Sequence, residues 1–267
     1  MQEGKSAVEW PADLALAKDV IVAHADIASA GLRASMLVCR TLRTLTKVSS
    51  TKSSAKLFDY DEEGDRKEAS PAWTDNTGPA GLGVEVETFM DSDSKPVLTL
   101  IIINAPLSLE NTSTIALEVA SKLIKSQVSN VTLLAAVRFS PKTTANASLV
   151  HTIGFKSGAV QALSKHEKLC EWDPAWPIED GFLAAMLQLL RLEQSITTEA
   201  LLALGYRLPR AVQLNLPGSD AQDPSLPTVL QLVEAVQLGI ASAPLKAAAQ
   251  SQPLPACDAP GLKGRFQ

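Results

Sequence analysis

The chain is poor in the residues from which most catalytic sites are built. Its 267 residues include only three histidines and three cysteines. His24, His151 and His166 stand far apart, and none has a second His or a Cys at ligand spacing, so no metal site is expected. Cys39, Cys170 and Cys257 are as widely spaced, which fits reduced thiols rather than a disulfide framework. A G-x-S-x-G nucleophile elbow is absent. The glycine-rich stretch Gly78 to Gly83 precedes a strand and lacks a following Lys-Ser/Thr, so it reads as a turn and not as a phosphate loop. Positive charge is not in excess: Lys and Arg total 24 against 29 Asp and Glu, a net charge of -5. That balance argues against a nucleic-acid partner bound by phosphate neutralisation. Long apolar runs of about 18 residues are missing, so no membrane insertion is expected. The first residues lack the basic start and apolar centre of a signal peptide, which points to a cytoplasmic chain.

What the chain does have is core. Hydrophobic residues make up 46% of it. The strongest unit is Ile178 to Tyr206. Asp180 and Gly181 stand where a helix cap would stand, and an Asp there accepts from the free N–H groups of the first turn. The apolar residues from Phe182 to Leu192 leave only Gln188, Arg191 and Glu193 as a wet face, so the helix is packed on most of its circumference. A buried strand at Ala200 to Leu204 follows directly. Upstream, Asp19 to Ala25 reads as a first strand, and Ala28 to Leu45 fits either a helix or a strand with flanks, with Arg33, Arg40 and Arg43 outward. Val84, Val86 and Thr88 alternate with Glu85 and Glu87, the period of a half-exposed strand. Val97 to Ile103 is β-branched and apolar on both faces, as in the centre of a covered sheet. Leu109 to Ser126 reads as a helix with Ile115, Val119 and Leu123 inward, joined there by Leu117 and Ile124. Val131 to Val137 is a further strand, and strand–helix–strand with short links implies a right-handed parallel crossover. Thr228 to Leu238 is an amphipathic helix. The class is α/β, with a mostly parallel sheet covered by helices on both faces. The expected organisation is an N-terminal arm at 1–18, one domain at 19–243 with a polar insertion at about 46–81, and a flexible C-terminal tail at 244–267.

Candidate residues for chemistry are sparse. Arg138 and Thr143/Thr144 follow a buried strand, where open α/β sheets bind ligands, although a solvated loop explains them as well. Asp180 is explained by its cap position. Trp172 and Trp176, with Pro174 and Pro177, form either an exposed aromatic anchor for a partner or a loop packed on the core.

Two stretches carry a family resemblance. VTLLAAVRFSPKTTANASLVHTIGF and WPIEDGFLAAMLQLLRLEQSITTEALLALGY resemble the strand–loop and helix–strand units of the proteasome assembly chaperone 1 family. The match spans roughly residues 97–206, with a weaker one at 19–45. The resemblance implies a nucleoside-phosphorylase-like α/β sandwich without the phosphorylase site. It implies a non-enzymatic chaperone, without cofactor, that pairs with a second proteasome assembly chaperone as a heterodimer and promotes assembly of the 20S proteasome α-ring. Its partners would be that chaperone and the α subunits, in the cytoplasm, the nucleus or at the endoplasmic reticulum surface. Partner-binding residues expected on this reading are Trp172, Trp176 and Phe182. Family members often end in a hydrophobic–Tyr–any-residue tail that inserts between α subunits. This chain ends Arg265-Phe266-Gln267, which keeps an aromatic and replaces the hydrophobic residue with Arg. The alternatives are a small-molecule enzyme of nucleoside phosphorylase or hydrolase type, with Arg138 on phosphate and Asp180 as acid, and a scaffold of the same fold with another partner.

Overall fold

Nine residues, Pro96–Asn104, form the strand about which the sheet is laid out, and their side chains are buried on both of its faces. Ile101 and Ile103 enter one hydrophobic core, Leu100 and Ile102 the other. A strand apolar on both faces needs cover on both, and the computed structural model supplies it with two helical layers. The structure describes residues 6–26, 29–45, 49–60, 66–68, 73–74, 83–105, 107, 109–138, 150–155, 169–193, 195–205, 225–239 and 265–266.

In chain order the elements are β1 (Val8–Glu9), β2 (Asp19–His24), α1 (Ala30–Leu45), β3 (Ser50–Tyr60), β4 (Arg66–Glu68), β5 (Trp73–Thr74), β6 (Gly83–Met90), β7 (Pro96–Asn104), α2 (Leu109–Lys125), β8 (Asn130–Val137), β9 (Val150–Phe155), β10 (Leu169–Glu171), α3 (Gly181–Leu192), β11 (Thr197–Leu204), α4 (Leu226–Gly239) and β12 (Arg265–Phe266). Ten strands make one mixed sheet in the order β1-β3-β6-β7-β2-β8-β11-β9-β10, with β4 beside β3. Its centre, β7-β2-β8-β11, is parallel. Antiparallel pairings flank it, β6 against β7 and β9 against β11. Helices α2 and α3 lie over one face and α1 and α4 over the other. The α/β class and the cover on both faces agree with the sequence.

Helix α3 shows how the sequence holds an element in place. Asp180 caps it, accepting from Leu183 N at 2.7 Å. Phe182, Leu183, Met186, Leu187 and Leu190 are buried beneath it. At roughly 2 kcal/mol for each buried large apolar side chain, this face gains on the order of 10 kcal/mol before the entropy of ordering is subtracted.

Several expectations are corrected. The N-terminal arm is docked from residue 6 onward. The Glu118 carboxylate accepts from Ser6 Oγ, Ala7 N and Val8 N, and β1 pairs with β3. Within the polar stretch 46–81, β3 is a sheet strand between β1 and β6 rather than part of a surface insertion. Its outward Ser, Thr and Lys residues hide it from a hydropathy reading, and among its described side chains only Ala55 and Leu57 are buried. Of the segment read as helix or strand, Ala30–Leu45 is a helix, and Arg33 on it is 1% exposed, its Nη1 donating to Ser225 Oγ at 2.5 Å. Glu87 is buried rather than outward, accepting from Ser50 Oγ at 2.9 Å. Leu117 and Ile124 face solvent, not the core. The long connection after Arg138 contains β9 and β10, and β11 starts at Thr197, three residues before the expected strand.

Candidate functional site

Chain direction at the centre of the sheet selects one place above the others. The chain leaves β2 for α1 on one face and leaves the adjacent β7 for α2 on the other. Where neighbouring parallel strands send their connections to opposite faces, a crevice opens at their carboxyl ends. His24 ends β2 there, Asp26 follows in the turn, and Asp180 comes in at the start of α3.

The three groups are bound into one another. His24 Nε2 lies 2.9 Å from Asp180 Oδ2, and its ring tilts against Phe182 with centroids 4.8 Å apart. Burial works against charge on His24, but the hydrogen bond and charge of Asp180, with the charge of Asp26, outweigh it and raise its pKa. Burial likewise works against ionised Asp180, and the His24 contact with the N–H groups of Leu183 and Phe182 outweighs it, so its pKa is lowered. The pair is therefore imidazolium–carboxylate over the acid-to-neutral range. Asp26 behaves in the opposite way. Burial pushes its carboxyl up to about 7, against the pull of His24 and of the N–H groups of Ala136 and Gly31.

Local chain geometry accounts for Asp26. Strand β2 leaves β8 after Ala23, so the N–H of Ala136 loses its strand partner, and the Asp26 carboxyl takes it. The same carboxyl accepts from Gly31 N at 2.9 Å, anchoring the first turn of α1. Gly31 is required there: a Cβ would fall 2.6 Å from Leu134 O and 2.7 Å from Asp26 Oδ2. Asp180 is thus the helix cap read from the sequence, and it also holds a buried histidine 156 positions away.

A second cluster lies at the β9–β10 edge. Cys170 Sγ is 3.0 Å from His151 Nδ1. The His151 ring meets Trp176 at 5.3 Å and Trp172 at 6.0 Å, and the two indoles meet edge to face at 5.3 Å. Burial pushes the Cys170 thiol up and the His151 imidazole down, with a backbone hydrogen bond at Glu171 only partly restoring the latter. Both groups are held neutral, so this is a thiol–imidazole contact and not the thiolate–imidazolium pair of a nucleophile.

The expected partner residues divide. Trp172 is 6% exposed, its backbone N–H donates to Thr152 O and its indole N–H to Trp176 O, so it is a packed residue and not an exposed anchor. Phe182 is 3% exposed and turned toward His24. Trp176 is half-buried against the core. The backbone of Arg265 and Phe266 pairs antiparallel with Thr74 and Trp73. Gln267, Thr143/Thr144, His166, Cys257 and the 244–264 stretch lie outside the described residues. Arg138 is exposed at the end of β8. Neither Cys39 nor Cys170 is in a disulfide. Among the described residues no three His, Cys, Asp or Glu side chains come together as a metal site, and no helix is long and apolar enough to cross a membrane.

Sequence reading missed the His24–Asp180 and His151–Cys170 contacts for the same reason. Each joins residues whose proximity exists only once strands are paired. The available signal for the first was a histidine ending a strand and an acid capping a helix in the same α/β unit.

No family model matches the sequence, and no curated protein matches it. Solved structures do. Pyrococcus furiosus PbaA, an archaeal homolog of proteasome-assembly chaperone, superposes with a TM-score of 0.54 at 14% identity over 90% of each chain. PbaB of the same organism, an archaeal proteasome activator, does so with a TM-score of 0.52 at 10% identity over 90% of each chain. A purine nucleoside phosphorylase from Toxoplasma gondii is also similar, with a TM-score of 0.42 at 10% identity over 88% of this chain and 91% of the other. At these identities the likeness to the Pyrococcus proteins is one of architecture: the chain has their α/β fold along nearly its whole length.

Proposed function

We propose that this chain is an assembly factor of the proteasome-assembly-chaperone kind. It pairs with a second subunit of similar fold, a distinct chaperone on the family pattern, and the pair helps proteasome α subunits assemble into rings in the cytoplasm. The observation that carries this reading is the fold shared with PbaA over 90% of each chain. The sequence resemblance supports it independently, because its second unit is the α3–β11 segment at the middle of that fold. The chemistry at the carboxyl ends of the parallel strands is consistent with a binding platform: Asp180 is taken up by the α3 cap and by His24, and Asp26 by backbone N–H groups. The terminal Arg265-Phe266-Gln267 would contact the α-ring, and Trp176 with the outer side of α3 would contact the paired subunit.

Affinity purification of the tagged chain from its own cells, with mass spectrometry of what accompanies it, tests the proposal. The expected result is recovery of α-type proteasome subunits with few mature proteolytic ones. Recovery of no proteasome subunit overturns it.

One observation favours a second reading. The His24–Asp180 pair with Asp26 nearby sits at the carboxyl ends of parallel strands, where α/β enzymes place acid–base groups. A small-molecule enzyme would use the His24 imidazolium, held by the Asp180 carboxylate, as acid and Arg138 on phosphate. Nucleoside cleavage in phosphate buffer that is lost in Asp180→Asn would support it, and no turnover by the folded protein would remove it.

A further inference from the structure

Arg265 and Phe266, assigned above to the α-ring, already have a partner inside the chain. Strand β12 (Arg265–Phe266) pairs antiparallel with β5 (Trp73–Thr74), Arg265 opposite Thr74 and Phe266 opposite Trp73. The pair stands apart from the ten-stranded sheet, and among the described residues neither strand has another strand beside it. One short backbone segment is thus claimed twice, once by β5 and once by the α-ring.

Covalent geometry fixes where the pair lies. β5 is tethered between β4, which ends at Glu68 beside β3, and β6, which begins at Gly83. At about 3.4 Å per residue, Trp73 stays within about 17 Å of Glu68, and Thr74 within about 31 Å of Gly83. The pairing therefore brings Arg265 and Phe266 back to the β3–β6 side of the sheet. Helix α4 ends at Gly239, and the chain from there to Arg265 can span up to about 90 Å. Arg265 and Phe266 can leave β5 and reach a surface outside the molecule with every strand of the large sheet left in place.

The two states exclude each other. A tail inserted between two subunits is flanked on both sides, whereas in the paired state β5 lies along one side of β12. We propose that β5 is an internal latch: it holds the terminal residues within the chain, and they leave it to engage the α-ring. The latch is weak by construction, because a two-stranded pairing of two residues is marginal in water. A tail that is free for only a fraction of the time loses apparent affinity by that fraction. Backbone hydrogen bonds of ordinary net strength make the loss about tenfold. This inference rests on the tail reading of the proposed function and adds the regulation of that tail.

Binding of full-length variants to recombinant proteasome α subunits of the same organism tests it. W73P/T74P removes both backbone N–H groups of β5 and leaves the tail intact. It should bind about tenfold more tightly than the wild type. T74C/R265C sets cysteines directly opposite each other, at Cα separations of about 4.5–5.5 Å that a disulfide spans. Mild oxidation should join the peptides containing residues 74 and 265 within one chain, as read by mass spectrometry. α-Subunit binding of this variant should fall at least tenfold on oxidation and return on reduction. Absence of the 74–265 cross-link overturns the latch alone. So does W73P/T74P binding equal to wild type when removal of residues 265–267 weakens binding. Binding that removal of 265–267 leaves unchanged overturns the tail reading, and the inhibitory role of β5 with it. No α-subunit binding by wild type and W73P/T74P alike overturns the proposed function as a whole.

Discussion

Two carboxyls work against the fold at neutral pH. Asp26 and Glu199 are each pushed up to about 7, in both cases chiefly by burial. Glu199 is 9% exposed, and its Oε1 has no hydrogen-bond partner among the described residues. An acid whose folded pKa lies above its unfolded value favours the native state while protonated, and that contribution fades as pH rises between the two values. Stability should therefore fall from about pH 4 to about pH 7. Glu199→Gln should raise stability at pH 8 by about 1–3 kcal/mol and flatten the slope, read by chemical denaturation at several pH values. A parallel, unshifted pH profile would contradict the burial argument. The His24–Asp180 pair has different limits. Its contribution needs Asp180 ionised, so it is lost as pH falls through the lowered Asp180 value. It needs His24 charged, so it is lost as pH rises through the raised His24 value. Asp180→Ala removes cap and pair together and should cost about 1–2 kcal/mol near pH 6, whereas Asp180→Asn retains a cap acceptor and should cost less. Cys170, held as a thiol, should react with iodoacetamide at pH 7 more slowly than free cysteine does.

At the level of elements, the Trp172–Trp176 turn is a packing device. Asp173 shapes it by accepting from Ala175 N through its side chain and from Trp176 N through its carbonyl. Trp172→Ala should destabilise the protein by about 3 kcal/mol or more, the range of large core truncations. Trp176→Ala, at a half-buried site, should cost clearly less. Thermal denaturation of the two single variants separates them, and equal losses would contradict the difference in burial. Helix α1 is set by a close approach, and Gly31→Ala would push a methyl into the carbonyl of Leu134. It should lower the melting temperature although alanine is the better helix former.

At the scale of the whole molecule, the ends of the chain matter. The N-terminal segment docks on Glu118, so Glu118→Ala should loosen residues 6–9 and expose their amides to hydrogen exchange while the central strands stay protected. At the other end, removal of residues 265–267 should weaken binding to α subunits and leave pairing of the chaperone subunits intact. Equal α-subunit binding in a pull-down would reject a role for the tail.

The sequence by itself determined the class of fold and most of its inner elements. β7 is apolar on both faces, α3 has a cap and a broad buried face, and β8 and β11 carry the apolar runs Leu133–Val137 and Ala200–Leu204. These signals are local, and each follows from the periodicity of one segment. Strands β1, at the sheet edge, and β3 beside it were not legible, because a strand with one wet side and polar residues resembles a loop. Neither was the burial of Arg33 and Glu87, which depends on partners at Ser225 and Ser50. The cap role of Asp180 is local and was readable. Its hold on His24, the Cys170–His151 contact and the enclosure of Trp172 were decided by tertiary structure alone, since sheet order brings together residues whose separation along the chain gives no sign of it.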